Sequence, residues 1–223
     1  MKLIICEGFY DAVFFHEVLK IFGSLDTYLI PDNQMQKLQG IYGNYHFMRD
    51  RIRTTIYGDN GRPTVFDWVL RRVISTLRAI PENVDLIVII DNDGSSYEEL
   101  FTLTKNKLEE ILNDPAIFQK PPIASFTRES ITITNQRNGI ITKVNLCIVP
   151  QSLEVQVRNK AFEQPQYRFS AGERDGLMAD DPHRALKFIA SKYHDGNEEI
   201  LIRSAVGWFE EEIWLNDIVK IFT

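Results

Sequence analysis

The chain opens on KLIICEG at Lys2–Gly8, and a similar run, DLIVIIDNDG, occupies Asp85–Gly94. Each run is apolar, rich in β-branched residues, and stops at acidic residues followed by glycine. Continuous apolar runs of this kind are typical of parallel strands that are buried on both faces. The two runs therefore predict the centre of an α/β fold with a mostly parallel sheet, and they place carboxylates where two strands end.

Acidic residues from the two runs are expected to meet at one edge of this sheet. In open α/β sheets ligands bind beyond the carboxyl ends of the strands, so Glu7 can approach Asp91 and Asp93. Carboxylates gathered around one point repel each other unless a cation lies among them, and Mg²⁺ prefers oxygen ligands. The sequence therefore predicts a site for Mg²⁺ or Mn²⁺.

The size and charge of the chain limit the classes of fold and partner. With 223 residues, of which 44% are hydrophobic, the chain can bury one substantial core, or one core with a smaller appendage. Its formal net charge of -6 argues against a protein that coats nucleic acid through bulk electrostatics, because such binding depends on many Lys and Arg residues. Contact with DNA or RNA is therefore expected to be local or bridged by a metal.

Cysteine use and hydropathy favour a protein of the cytoplasm. Cys6 and Cys147 both lie in apolar runs, which favours buried thiols over a disulfide. No apolar run reaches the roughly 18 residues of a membrane span, and the first strand leaves no room for a signal peptide. We therefore expect an intracellular, cytoplasmic protein without membrane contact.

Apolar spacing and capping signals predict helices between the strands. The predicted helices cover Tyr10–Phe22, begin at Thr64, Ser96, Gln151 and Asp181, and end with Trp208–Phe222. Further strands are predicted at Leu25–Ile30, Ser130–Thr134 and Ile140–Val149. Residues 1–160 are thus expected to form the α/β domain, and residues 161–223 a helical extension on the same core, with a solvated polar connection at Glu163–Asp181.

Two segments are candidates for contact with a macromolecule. The irregular stretch Asp32–Pro63 interleaves arginines, among them Arg49, Arg51 and Arg53, with aromatic residues. Such a stretch can grip a nucleic-acid backbone and stack bases, or it can be a lid or packing insertion whose arginines pair with local acids. The aromatic residues of the C-terminal helix, Trp208, Phe209 and Trp214, are expected in the core or on a surface for a protein partner or a second copy.

Three motifs in this order resemble the Toprim domain. They are a hydrophobic-Glu-Gly-x-x-Asp pattern at Ile4–Asp11, an apolar strand ending in Asp-x-Asp at Val88–Gly94, and a strand ending in proline before an acid at Ile148–Glu154. Toprim domains occur in topoisomerases, bacterial-type primases, recombination mediators, small ribosomal-RNA maturases and overcoming-lysogenisation-defect nucleases. The resemblance covers about residues 1–154. The segment between the first two motifs is longer than in compact members.

The resemblance implies a Mg²⁺-dependent nuclease or nucleotidyl-transfer enzyme that acts on nucleic acid. Asp91 and Asp93 would hold the metal, and Glu7 would act as general acid or base or as a further ligand. Asp11 and Glu154 are further candidate ligands. Lys187 is a candidate for stabilising a phosphate, against the simpler interpretation of an exposed helix residue.

Other interpretations of the same residues remain open. Acids that follow a strand also serve as helix caps or solvated turns, and Asp-x-Asp occurs in metal-dependent phosphatases of the haloacid-dehalogenase type. In those phosphatases the motif follows the first strand, whereas here the first strand ends in Glu7-Gly8. A non-catalytic Toprim-like module that binds nucleic acid or a protein is the main alternative to an enzyme.

Overall fold

The computed structural model describes residues 1–22, 27–31, 54–59, 61–77, 80–127 and 130–222. The strands within these ranges are β1 (Lys2–Cys6), β2 (Thr27–Leu29), β3 (Thr54–Gly58), β4 (Val84–Asp91), β5 (Ile123–Phe126), β6 (Ile131–Thr134) and β7 (Ile141–Val149). They form one sheet in the order β2-β3-β1-β4-β7-β6-β5. Strands β2, β3, β1, β4 and β7 run parallel, and β6 and β5 are antiparallel additions at one edge. The predicted α/β class with a mostly parallel sheet is confirmed.

Helices connect the strands and form most of the C-terminal part. They are α1 (Phe9–Ile21), α2 (Arg62–Thr64), α3 (Leu70–Leu77), α4 (Tyr97–Leu112), α5 (Leu153–Ala161), α6 (Ala171–Ala179), α7 (Pro182–Tyr193), α8 (Glu198–Ala205) and α9 (Ile213–Phe222). A π-helical turn at Val65–Val69 joins α2 to α3, and a 3-10 turn at Val206–Phe209 follows α8. Within the described ranges, no helix is long and apolar enough to cross a membrane.

Alternating residues of the central strands divide the core between the two faces of the sheet. Ile4 and Cys6 of β1 belong to the cluster that contains α1, α5 and the C-terminal helices α7, α8 and α9. Leu3 and Ile5 belong to the cluster on the other face, with α3 and α4. Because successive side chains of a strand point to opposite faces, an unbroken apolar run is the pattern that this two-sided burial requires. Cys6 and Cys147 are buried free thiols, as predicted.

The predicted irregular segment contains a strand. Residues 54–58 form β3, which lies between β2 and β1 and pairs with both. All five residues of this strand, TTIYG, are buried. The prediction of continuous irregular structure up to Pro63 was therefore wrong here, because a short strand flanked by polar residues gives too few positions for its period to show.

The helix predicted to begin at Thr64 begins at Arg62. Gly61 precedes it with a φ of 92°, and Pro63 lies in its first turn. Proline fits that place because its fixed φ suits a first helical turn and its missing N–H is not needed there. The predicted nucleic-acid contacts Arg49, Arg51 and Arg53 lie outside the described residues.

The polar stretch predicted as a solvated connection contains helix α6. Ser170 and Glu173 form a capping box: Ser170 Oγ accepts a hydrogen bond from the Glu173 N–H at 3.2 Å, and Glu173 Oε2 accepts one from the Ser170 N–H at 2.8 Å. Leu177 is the residue of this helix that is buried. A helix with so narrow an apolar face gives no periodic signal, so the capping residues were the available sign.

The C-terminal stretch is two elements rather than one helix. The 3-10 turn ends at Phe209, and α9 begins only at Ile213. Phe209 is completely buried, and its ring packs edge-on against that of Phe14 in α1, with 5.4 Å between the ring centres. Trp208 and Trp214 are half-buried against the same core. These aromatic residues therefore pack the C-terminal helices onto the sheet domain.

Candidate functional site

The parallel register of β1 and β4 brings Glu7 next to Asp91. Cys6, the last residue of β1, pairs with Ile89, so β4 continues two residues beyond the end of β1, and the Glu7 N–H donates to Ile89 O at 3.1 Å. The Asp91 N–H in turn donates to Glu7 Oε2 at 3.2 Å. The two predicted acids thus lie together at the carboxyl edge of the sheet.

Asp93 lies beside this pair, at the rim, in contact with Arg62. The chain turns out of β4 with left-handed backbone at Asp93, φ 44°, and Gly94, φ 83°. The side chain of Asp93 is 56% exposed, and Arg62 Nη2 donates to its Oδ2 at 3.0 Å. The same nitrogen donates to the backbone oxygen of Asp91 at 2.5 Å, and Arg62 Nε donates to Glu7 Oε2 at 3.4 Å. Arg62 therefore bridges the ends of β1 and β4.

Asn92 joins the end of β4 to the end of β7. Its N–H donates to Val149 O at 2.9 Å. Its side-chain oxygen accepts hydrogen bonds from the N–H groups of Gln151, at 2.8 Å, and Gly94, at 3.3 Å. This amide sets the position of the turn that leads into α5.

Asp11 and Glu154 approach the same edge from the first turns of α1 and α5. Asp11 is 4% exposed, and its Oδ2 accepts a hydrogen bond from the Gly8 N–H at 2.8 Å. Its other oxygen, Oδ1, is buried and has no hydrogen-bond partner among the described residues. A buried carboxylate oxygen without a donor is costly, so it calls for a partner from outside the chain.

These acids surround a solvent-open cleft of about 410 Å³. The residues that line it are Glu7, Gly8, Phe9, Tyr10, Asp11, Asp59, Gly61, Asp91, Glu154 and His183. Four of the five predicted acidic site residues are thus brought together, while Asp93 is not among the lining residues. Lys187 is exposed on α7 and is not among them either.

Burial and mutual repulsion raise the pKa values of the central acids. Burial, followed by the charges of Asp11, Glu154, Glu7 and Asp93, raises the pKa of Asp91 to about 10. Burial and then the charge of Glu154 raise the pKa of Asp11 well above its usual range, although the Gly8 N–H partly offsets this. Without a cation the cleft therefore retains protons at neutral pH.

The donor set suits a hard divalent cation. In the described part of the chain, no three carboxylate, imidazole or thiol groups are already arranged as a coordination shell. The chemistry nevertheless fits such an ion, because the acids supply only oxygen ligands and Asp11 Oδ1 lacks a partner. The residues present are thus compatible with the predicted Mg²⁺ or Mn²⁺.

The sequence analysis did not assign three residues to this site. Asp59 follows β3 just as the other acids follow β1 and β4, and Tyr57 donates a hydrogen bond to it at 2.5 Å. It could have been found had β3 been recognised. His183, whose ring lies 6.0 Å from that of Tyr10, lines the cleft, and Arg62 pairs with Glu7 and Asp93 beside it. Neither had a spacing signal, since tertiary packing alone brings them to this edge of the sheet.

Gly58 provides the close approach of β3 to the turn after β1. A Cβ added at Gly58 would lie 2.2 Å from Gly8 O and 2.8 Å from Phe9 Cα, both backbone atoms. We expect Gly58→Ala to lower the free energy of unfolding by about 1–3 kcal/mol, because the backbone beside Glu7 must move. Urea unfolding followed by circular dichroism measures this.

The matched control for that variant is Gly172→Ala in α6, where an added Cβ meets nothing within 4 Å. Alanine is the better helix former, so this control is expected to be neutral or slightly stabilising. Equal unfolding midpoints for wild type and Gly58→Ala would contradict the close-approach argument.

Comparison of the chain with profiles of known families, with curated proteins and with solved structures gives no match. The resemblance to Toprim domains therefore stays a prediction from the motifs at Ile4–Asp11, Val88–Gly94 and Ile148–Glu154. Functional inference depends on the acidic cleft itself.

Proposed function

We propose that this chain carries out Mg²⁺-dependent phosphodiester chemistry on nucleic acid, as a Toprim-type nuclease or nucleotidyl-transfer enzyme. The observation that carries the proposal is the buried, unpartnered Oδ1 of Asp11 within a cluster of acids at the carboxyl ends of two parallel strands. Groups of this kind are retained where a ligand satisfies them, because an unsatisfied buried polar group costs about 1–3 kcal/mol. A divalent cation is the ligand that satisfies several carboxylates at once.

Asp91, Asp11 and Glu154 would hold this cation, with Glu7 as a further ligand or as general acid or base. A bound divalent cation offsets charge on a phosphoryl group and lowers the pKa of bound water. Glu7 is held in place for either role, because its Oε2 accepts hydrogen bonds from the Asp91 N–H and from Arg62 Nε. A carboxylate fixed at the cleft wall can take a proton from an attacking oxygen or return one to a leaving oxygen.

The character of the cleft favours a polymeric substrate over a small phosphate ester. It is open to solvent, and the half-buried rings of Phe9 and Tyr10 line it next to the acids. Aromatic rings beside a phosphate-binding point can stack on bases of any sequence. The acidic lining repels phosphates until a cation is bound, so binding of the substrate is expected to depend on the metal.

The test is incubation of the purified protein with labelled single- and double-stranded DNA and RNA in Mg²⁺, Mn²⁺ or EDTA. We expect cleaved or joined product with either metal, none with EDTA, and a loss of roughly 10²–10⁴-fold in Glu7→Gln, the range that general acid–base catalysis contributes. Glu109→Gln, on the outer part of α4 with its side chain 44% exposed, is the control and should keep full activity.

Other outcomes separate the alternatives. Metal-dependent binding without product would favour the non-catalytic module. Release of phosphate from a small phosphomonoester, with intact nucleic acid, would favour a phosphatase. Product that is unchanged in Glu7→Gln would contradict the role proposed for Glu7.

A further inference from the structure

The side chain of Arg62 places a positive charge beside the acids of the cleft. Its side chain is only 18% exposed, and its guanidinium group contacts Glu7, Asp93 and the backbone oxygen of Asp91. The backbone holds it there, because the N–H of the preceding residue, Gly61, donates to Glu7 O at 2.9 Å. Arg62 is therefore a fixed part of the edge of the sheet.

The acids divide into two groups by their access to this positive charge. Glu7 and Asp93 both form ion pairs with Arg62, at 3.4 and 3.0 Å. Among the described residues, no Lys, Arg or His forms an ion pair with Asp11, Asp91 or Glu154. Within the described residues, Glu7 and Asp93 thus have a positive side chain as partner, and Asp11, Asp91 and Glu154 do not.

We infer that Arg62 holds the place that a second divalent cation would otherwise take, so that the site binds a single divalent ion at the Asp11, Asp91 and Glu154 side. The inference rests on the proposed metal dependence. A second ion beside Glu7 and Asp93 would have to displace the guanidinium group or lie next to its positive charge. Either route is unfavourable, because Arg62 would lose its hydrogen bonds or repel the ion.

This arrangement also places Arg62 where it can contact the phosphate of a substrate. In two-metal sites the ions lie about 3.5–4 Å apart and clamp the attacking and leaving oxygens of a phosphoryl group. A guanidinium group is permanently charged, planar and suited to two oxygens of a phosphate at once. By exchanging its bonds to Glu7 and Asp93 for phosphate oxygens, Arg62 would supply part of the positive charge that a two-metal enzyme obtains from its second ion.

The experiment counts bound Mn²⁺ by isothermal titration calorimetry and by electron paramagnetic resonance of free Mn²⁺, at low ionic strength. We expect one Mn²⁺ per chain in the wild type. Arg62→Gln, which removes the charge, is expected to bind a second Mn²⁺ or to bind the first at least tenfold more tightly. Arg62→Lys, which keeps the charge, is expected to bind one ion and shows that any change does not come from misfolding.

The control is Arg137→Gln, which removes the same charge from an exposed residue in the turn between β6 and β7. It should bind Mn²⁺ like the wild type. Two ions in the wild type, or one ion with unchanged affinity in a folded Arg62→Gln variant, would overturn the inference. Absence of Mn²⁺ binding in the wild type would overturn it together with the proposed function, whereas two ions with metal-dependent turnover would overturn it alone.

Discussion

Asp91→Asn is expected to abolish function and to stabilise the metal-free protein. An amide is a poor ligand for a hard cation, and loss of groups that only support a ligand already costs about 10–100-fold in metal affinity. We therefore expect Mn²⁺ affinity to fall by more than about 100-fold, with loss of metal-dependent turnover. Calorimetric titration of the variant measures the change in affinity.

The gain in stability has the same origin as the loss of binding. Asp91 is 8% exposed and surrounded by acids, so its ionised form is unfavourable without a cation. Replacing this acid by an uncharged amide is expected to raise the free energy of unfolding by roughly 1–3 kcal/mol at pH 8, the typical cost of an unsatisfied buried polar group. Each kcal/mol corresponds to about 2–4 °C in melting temperature for a chain of this size.

The sign of the pH dependence follows from the raised pKa. The pKa of Asp91 is about 10 in the folded protein, against an ordinary value of 3.8. Between these values the folded state binds more protons than the unfolded state, so stability falls as the pH rises through this window. Below its ordinary pKa the group is protonated in both states and the penalty is absent.

Melting temperatures in EDTA from pH 5 to pH 9 test this prediction. The decrease of melting temperature with rising pH should be less steep in Asp91→Asn than in the wild type. It should be unchanged in the control Asp175→Asn, because Asp175 is an exposed acid on α6. Added Mn²⁺ should stabilise the wild type more at pH 9 than at pH 5. Equal slopes in wild type and Asp91→Asn would show that Asp91 is not the buried, repelled acid described here.

Phe209→Ala is expected to destabilise the whole chain by about 3–5 kcal/mol, the usual cost of removing a buried phenylalanine ring. Phe209 is fully buried, and the centre of its ring lies 5.4 Å from that of Phe14 and 5.8 Å from that of Trp214. Its loss therefore leaves a cavity between α1 and the C-terminal helices. Denaturant unfolding, followed both by tryptophan fluorescence and by circular dichroism, measures the effect. The unfolding transitions reported by the two signals should shift together to lower denaturant concentration.

The control for Phe209 is Ile213→Ala, an apolar residue nearby that is 77% exposed. Exposed substitutions of this kind stay within about 0.5 kcal/mol. If Phe209→Ala shifted only the fluorescence transition, residues 161–223 would unfold independently of the sheet domain, and the prediction of a shared core would be wrong.

β1 and β4 were predictable because burial on both faces favours apolar residues at successive positions of a strand. β1 and β4 have this environment, and the sequence carries it as unbroken apolar runs. β3 is equally buried but only five residues long, and its Thr54 and Thr55 do not mark it as apolar. Short strands in polar surroundings are recognised only when their neighbours in the sheet are known.

The site was predictable to the extent that strand ends define it. Glu7 and Asp91 follow apolar runs, and parallel pairing brings such ends together. Arg62 could not be predicted as the partner of Asp93 in this way, because the two residues are 31 positions apart in the sequence. The helix that contains Arg62 was also predicted to begin two residues later than it does. The isolation of Asp11 Oδ1 likewise depends on packing around it, which no spacing reveals.

The bridge that Asn92 makes between the ends of β4 and β7 bears on which ions the proposed metal site would accept. Because Asn92 Oδ1 accepts a hydrogen bond from the Gln151 N–H, the end of the strand at Asp91 is tied to the turn that leads to Glu154. We expect acids tied together in this way to resist the wider spacing that a large ion needs for its six to eight oxygen ligands. Calcium should therefore compete poorly with magnesium, and this discrimination would originate in an amide that never touches the ion.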